Sequence, residues 1–358
     1  MAQAGSMSVI LQAVPYLGGA AVTGLALWFL RPLAHRLGLV DQPGDRKIHS
    51  HDTPLIGGIA MFLGLGTILV ILRPPFPGLL PFLTATGLLL LVGMADDFLE
   101  LSVRLRFVMQ TVAALAMAVW GGVSVQHLGD LLGVGWVALG GWSLPFTVIC
   151  IVGLINAVNM IDGLDGLSGS LSLVSFLFLA GAAWQAGRGA ETAVALAFVT
   201  VLIPFLAVNA RLGRGNAMVF MGDAGSTFLG FALAWFTVLL TQGDSPALRP
   251  VTALWLVAVP LIDMFSAFLR RTLEKGRPFE PDRRHFHHVL LRRGLSVNGV
   301  VAVMAGGAIL CAGAGLAADR LGVPDPWMFY GILVLFAVCH LLACRLWKRL
   351  ERSGGRMP

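Results

Sequence analysis

Charge is what this sequence has least of. Only 12% of its 358 residues are Asp, Glu, Lys or Arg, and 57% are hydrophobic. A soluble globular domain carries about 25% charged residues, so that class is excluded. The 44 glycines do not make a disordered chain at this hydrophobicity; they suit close helix packing in lipid. Cysteine is scarce as well. Cys150, Cys311, Cys339 and Cys344 lie inside apolar runs with no CxxC spacing, which excludes a disulfide framework or zinc site and leaves reduced packing residues. Long linkers, repeats and low-complexity tracts are missing, so 1–358 reads as one domain. The first apolar run lacks a basic segment before it and a clear small-residue cleavage site after it, so it reads as a span and not a cleaved signal.

What is present is a recurrent apolar stretch near the ~20 residues that cross a bilayer. Eleven occur, at roughly 10–30, 54–72, 79–95, 105–121, 143–160, 167–186, 192–209, 226–241, 250–270, 296–318 and 326–346. The fold expected is an all-α polytopic bundle of about eleven transmembrane helices. The net charge of +6 would suit nucleic acid, but the distribution argues otherwise. Of the 25 Lys and Arg, all but Arg73, Arg188, Arg249 and Arg320 fall after odd-numbered stretches or in the C-terminal tail. The positive-inside rule makes that side cytoplasmic, with a periplasmic N-terminus and a cytoplasmic C-terminus. No nucleic-acid partner is expected. Segments at about 32–53, 96–104, 156–166, 210–225 and 271–295 share the basic side, and the chemistry lies in them.

Asp96 and Asp97 end the third stretch in GMADDFLEL. Adjacent acids could be a solvated helix end, but the helix dipole disfavours negative charge there, so something else must stabilise them. Two unit charges 4 Å apart repel by about 4 kcal/mol at an effective dielectric of 20. A cluster of carboxylates therefore needs a cation or basic side chains, and Mg²⁺ is the natural guest for oxygen ligands plus a phosphate. In NAVNMIDGLDGL, Asn156, Asn159, Asp162 and Asp165 recur every three positions, which aims them at one face of a helix end. The glycines let backbone turn close to a ligand; a structural cap would need one of these four residues. In VFMGDAGS, Asp223 and Ser226 could cap the next span. A cap does not explain an acid between two glycines after Phe220, which suits base stacking above a metal-bound pyrophosphate.

The loop PDRRHFHH carries His285, His287 and His288. Three histidines could bind zinc, but Arg283 and Arg284 repel a divalent cation and attract phosphate. DQPGDRKIH, with Lys47, suits either anionic lipid headgroups or a specific phosphate. Arg104 and Arg106 either grip a phosphate or only satisfy the charge rule. Asp263 is the one acid within a stretch, a functional position by default or a structural partner of Arg270 about two turns away.

DDFLELSVRLR, NAVNMIDGLDGL, VFMGDAGSTFLG and RRHFHH, in that order on one side, resemble the polyprenyl-phosphate N-acetylhexosamine-1-phosphate transferases. The likeness runs from DQPGDRKIH to the histidine loop, nearly the whole chain, and the family's eleven-span topology agrees with the count above. The HxHH form after Asp-Arg-Arg is similar to the enzymes that start O-antigen, enterobacterial common antigen or teichoic acid linkage units; His285-Phe286-His287 departs from the consecutive histidines of the peptidoglycan branch. The resemblance implies Mg²⁺-dependent transfer, with Mn²⁺ as the alternative, of N-acetylglucosamine-1-phosphate from UDP-N-acetylglucosamine to undecaprenyl phosphate, releasing UMP. The place implied is the cytoplasmic face of a bacterial inner membrane, with a homodimer as a candidate assembly. Another UDP-N-acetylhexosamine or UDP-MurNAc-pentapeptide is the alternative donor.

By motif, the resemblance makes Asp223 and Asn159 metal ligands. It makes Asp96 and Asp97 the pair that orients the metal site and deprotonates or positions the lipid phosphate. Asp162 lies between these and Asp165 and Phe220, which resemble uridine-recognition residues. Arg284, His285, His287 and His288 resemble the pyrophosphate and sugar grip, and Lys47 and Arg106 are further phosphate candidates. A CDP-alcohol phosphotransferase also has aspartates at DGxx spacing, but its pattern continues with Ala-Arg and two further aspartates, and here DGLS runs into an apolar stretch. A transporter would place its polar site near the bilayer midplane, whereas the polar sites here, all but Asp263, lie at one surface.

Overall fold

The computed structural model describes residues 2–42, 52–76, 78–211, 213, 215–275 and 284–352. The chain is a helical bundle: α1 (Ala2–Leu37), α2 (Gly57–Leu72), α3 (Leu79–Leu99), α4 (Val103–Leu115) ending in a π-helical turn, α5 (Ser143–Ile161), α6 (Leu167–Gln185), α7 (Gly189–Asn209), α8 (Gly222–Thr241), α9 (Pro250–Leu256), α10 (Ala258–Lys275), α11 (Phe286–Arg292), α12 (Val297–Arg320) and α13 (Asp325–Arg352). Among the described residues nine helices are long and apolar enough to cross a bilayer, and the α9–α10 pair makes a tenth. α2 lies on the second apolar stretch but has 16 residues. All eleven stretches are thus helical, in a multi-pass membrane protein.

One expectation needs correction. The ninth stretch is not one continuous span: α9 and α10 meet at 82°. The cause is Pro260, which has no N–H for the carbonyl of Leu256 and whose ring crowds that carbonyl. The Ser175 hydroxyl on α6 donates to the stranded Leu256 oxygen at 2.8 Å instead.

α8 is the axis of the bundle, buried along nearly its whole length. Its far half is walled by aromatics: Trp235 meets Phe82 at 5.2 Å between ring centroids, and Phe176 stacks on Phe198 at 4.4 Å. Its first turns are walled by glycine. A Cβ on Gly93 of α3 would fall on the backbone of Ala224, and one on Gly58 of α2 on that of Gly225. Farther along, a Cβ on Gly230 would stand 2.8 Å from the Ile155 Cα of α5. Small residues let helix backbones meet in lipid, where no hydrophobic force draws apolar side chains together. A short hairpin, β1 (Val40–Asp41) with β2 (Thr53–Pro54), antiparallel in the register Val40↔Pro54, sits beside the start of α8. Phe220 joins its edge, its N–H donating to the Pro54 carbonyl at 2.9 Å.

Gly93→Ala is expected to destabilise the protein by about 1–3 kcal/mol through overpacking, seen as a lower thermal unfolding midpoint in detergent. Gly181→Ala, where the added methyl meets open space, should leave the midpoint unchanged.

Candidate active site

The close packing of α3 on α8 carries Asp97 onto the end of α8. Its Oδ1 accepts the Asp223 N–H at 2.8 Å and its Oδ2 the Ala224 N–H at 3.4 Å. These are orphan amides of a helix start, where the dipole favours an anion. The acid that its own helix end disfavours is thus held by the N-terminus of another helix. Gly222 makes the approach possible: its φ is +73°, and a Cβ there would lie 2.5 Å from Asp97 Oδ2. Asp96 turns the other way. Its Oδ1 accepts the Leu101 N–H at 2.8 Å, and its Oδ2 takes the Arg106 guanidinium at 3.0 Å.

Arg106 reaches on to Asp223 Oδ2 at 3.7 Å. Asn159, near the end of α5, donates to Asp223 Oδ1 at 2.7 Å and to the Ser226 hydroxyl at 2.9 Å. The DDFLE, NAVNMID and MGDAGS motifs therefore converge on Asp223, whose side chain keeps 35% of its exposure. Asp162 follows α5 directly. Lost hydration, then repulsion by Asp223, Asp97 and Asp165, raises its pKa well above the ordinary carboxylate range. Among the described residues no three His, Cys, Asp or Glu side chains form a metal-binding group. A cation here would have to take ligands from a substrate as well as from Asp223.

Asp165 is turned away from this cluster. Its Oδ2 is bound by the Arg211 guanidinium at 2.6 Å and by the Ala217 N–H at 3.2 Å. Asn209 completes that corner, accepting from the Gly166 N–H and donating to the Val219 carbonyl. Together Asp165 and Asn209 tie the turn after α5 to the segment that leads into α8. Phe220 is half-buried, its backbone fixed by Pro54 and Gly57. Lys47 lies outside the described residues.

The histidines enter from α11. His285 is buried, with its Nδ1 2.7 Å from Asp263 Oδ2, while the Phe286 N–H donates to Asp263 Oδ1 at 2.8 Å. Asp263 thus anchors the start of α11. His287 is 1% exposed, stands over Gly163 beside Asp162, and has neither ring nitrogen hydrogen-bonded within the described chain. Burial first, then the neighbouring His288, push its pKa down to about 3, so the ring is neutral. His288 stacks edge-on against it at 4.2 Å between centroids. Arg284 points elsewhere, to Glu274 at 2.9 Å and Glu351 at 3.4 Å.

A cavity of about 740 Å³ opens from the cluster. Asp96, Arg106, Asn159, Asp223, Arg271 and His285 line one end, and its body is apolar, with Leu89, Val92, Phe107, Val148, Ile149, Val152, Phe265 and Phe268. From Asn159 to Val148 the wall follows α5 for about 16 Å at 1.5 Å per residue.

Residues 79–241 match the model of glycosyl transferase family 4. Over 335 residues, 92% of each chain, the sequence is 35% identical to the undecaprenyl-phosphate alpha-N-acetylglucosaminyl 1-phosphate transferase of Yersinia pestis. It is 34% identical to the protein of that name from Escherichia coli K12, over 94% of this chain and 95% of the relative. For Haemophilus influenzae the identity is 36%, over 93% and 96%. The chain belongs to the polyprenyl-phosphate N-acetylhexosamine-1-phosphate transferase family. It is a sugar-phosphate transferase of the membrane.

Within this transferase, sequence reasoning missed Arg271, Arg211, Asn209 and Gln110. Arg271 lines the polar end of the cavity, but as one of two adjacent arginines after an apolar run it reads only as a charge flank. Gln110, whose Oε1 accepts from Asn156 Nδ2 at 2.6 Å, lies inside an apolar stretch, and a polar residue there was the available signal.

Because the folded-state pKa of His287 is depressed, neutral His287 contributes stability that is full above its ordinary value of 6.5 and lost as pH falls toward 3. Asp162, with its raised pKa, acts in the opposite sense. His287→Gln should therefore flatten the fall of the unfolding midpoint between pH 7 and 4, measured side by side with the parent transferase.

Proposed function

We propose that this transferase moves N-acetylglucosamine-1-phosphate from UDP-N-acetylglucosamine to undecaprenyl phosphate, releasing UMP at the cytoplasmic face of a bacterial inner membrane. The observation that carries this reading is the cavity with an apolar body and an ionic end. A polyprenyl chain suits the body, and its phosphate suits Arg106 and Arg271 at the end. The relatives' shared name supports the same acceptor and sugar.

Phosphoryl transfer needs positioning and charge neutralisation more than covalent help from the protein. An oxygen of the acceptor phosphate forms a bond to the β-phosphorus of the donor; the bond from that phosphorus to the bridging oxygen breaks, and UMP departs with the electron pair. Direct attack is favoured because Asp96 and Asp97 are each hydrogen-bonded through both oxygens and the acceptor oxygen is already anionic. Arg106 links Asp96 to Asp223 and holds the incoming phosphate between them. His287, neutral and without a hydrogen-bond partner, can donate to a donor phosphate oxygen beside Gly163. With Oδ2 of Asp165 bound to Arg211, uridine recognition falls to its other oxygen, with the base against Phe220.

The donor set suits Mg²⁺: it has few protein ligands of its own and accepts one or two carboxylates with substrate phosphates and water, and Asp223 stands among repelling acids. Asp223 and Asn159 would hold it, and when bound it would neutralise charge on the pyrophosphate and the leaving UMP.

The deciding assay is UMP release from UDP-N-acetylglucosamine, with and without undecaprenyl phosphate, in millimolar Mg²⁺. Release that depends on lipid and Mg²⁺ is expected; none with any UDP-sugar would favour transport or binding instead. Asp223→Asn should lower turnover by about 10²–10³-fold with an unchanged unfolding midpoint, and wild-type turnover at millimolar Mg²⁺ would remove Asp223 from the metal site. Phe220→Ala, which leaves its backbone bridge in place, should raise the KM for the UDP-sugar by a stacking loss of about 1–3 kcal/mol.

A further inference from the structure

At about 1.5 Å per residue, the 28 residues of α13 reach well past the ~30 Å hydrocarbon core. Apart from Asp325 in its first turn, its charges gather at the far end, from Arg345 to Arg352, so its last turns stand outside the apolar layer beside α11. Trp347 is the exception among those charges: it is 6% exposed. What covers it is the histidine segment. The Arg284 guanidinium lies 5.4 Å from the Trp347 ring centroid and that of Arg292 4.3 Å. Arg284 precedes the histidines and Arg292 ends α11, so a single indole holds both ends of the helix. The indole is itself fixed, its Nε1 donating to Glu351 at 2.7 Å, and Glu351 also meets Arg284. Asp263 is the other anchor, at the start of α11. No hydrogen bond within the described chain holds the ring of His287, so its place over Gly163 depends on how α11 is seated.

We propose that Trp347 is a positioning residue: it seats α11 so that His285 and His287 meet the sugar-phosphate end of the donor. This rests on the transferase reading above, with the histidines gripping the donor. Trp347 touches no substrate; it acts through the two arginines. Loss of the indole releases Arg292 and loosens Arg284, which keeps Glu274, while Asp263 still holds His285 and the first amide. The body of α11 shifts, so donor binding suffers and the chemical step on bound donor does not. Phenylalanine keeps a ring face for the guanidinium groups and loses only the Glu351 bond.

The test compares the full-length parent with Trp347→Ala and Trp347→Phe in detergent. Amide exchange is measured over residues 284–295, and KM and kcat are measured for both substrates. In Trp347→Ala, exchange across α11 should accelerate and the KM for UDP-N-acetylglucosamine should rise about tenfold, the scale of two cation–π contacts. The kcat and the acceptor KM should stay within about twofold, a small fraction of a tenfold effect. Trp347→Phe should restore most of both changes. Unchanged exchange in Trp347→Ala overturns the proposal. So does a joint fall in kcat and rise in both KM values with a lower unfolding midpoint, or failure of phenylalanine to rescue. If the parent itself shows no lipid-dependent UMP release, the transferase reading fails, and the exchange comparison still decides whether Trp347 seats α11.

Discussion

Backbone-to-backbone contact around the first turns of α8 is the constraint on which the site depends. Gly93 admits α3 and Gly58 admits α2 where any Cβ would collide, and Gly230 does the same for α5 one step along. Membrane helices gain little from burying leucine against leucine, because lipid is equally apolar. Approach at this distance comes from small residues and from the polar bonds it permits. Here it permits the side chain of Asp97, on one helix, to bond the opening amides of another. A methyl group at Gly93 would collide with the backbone of Asp223 and Ala224, and through that backbone it would act on Asp97 and Asn159 as well.

The same contact settles how several acids coexist at one helix end. Asp97 is held by the dipole and amides of α8, Asp96 by Arg106 and the Leu101 amide, and Asp263 by His285 and the Phe286 amide. Asp165 has Arg211. Asp223 has an amide donor and a guanidinium at 3.7 Å, a weaker provision for an acid that repels Asp162. The polar satisfaction of the cluster is therefore nearly complete except around Asp162, Asp223 and the ring of His287. Of these only Asp223 lines the cavity end; Asp162 and the ring of His287 lie beside it at the turn after α5, and buried polar groups left unpaired are where a ligand gains most.

Much of this was legible in the chain. Eleven apolar stretches mark the helices, but the three-residue spacing in NAVNMIDGLDGL does not make one shared face: α5 ends at Ile161, Asn159 reaches Asp223, Asn156 turns to Gln110 and Asp165, in the turn beyond the helix, pairs with Arg211. The dipole argument against Asp96 and Asp97 at the end of α3 pointed to outside stabilisation, which the amides of α8 and Arg106 supply. Long-range choices were not legible. Periodicity gives no sign that Asp165 prefers Arg211, 46 residues away, or that Arg284 turns to Glu274 and Glu351. Asp263 was weighed against Arg270 on its own helix, and the partner found, His285, comes from the following segment. Such pairings depend on which helices become neighbours, and local pattern does not encode that.

Pro260 was legible as a residue but not in its consequence. A proline in the middle of a long apolar run kinks or breaks it, unless the helix restarts there and takes it into a first turn. The outcome here turns on Ser175, on another helix, being placed to take up the abandoned Leu256 carbonyl. Had the run continued straight, Met264, Phe265 and Phe268 would have followed the axis of α9. The 82° turn sends them across to the cavity that α3, α4 and α5 begin, brings Arg271 to its ionic end and sets Asp263 under His285. The broken span is therefore what joins the apolar channel, the phosphate end and the histidine segment into one enclosure, and the helix regularity given up at Val257 is the condition for a site that a lipid and a nucleotide sugar could share.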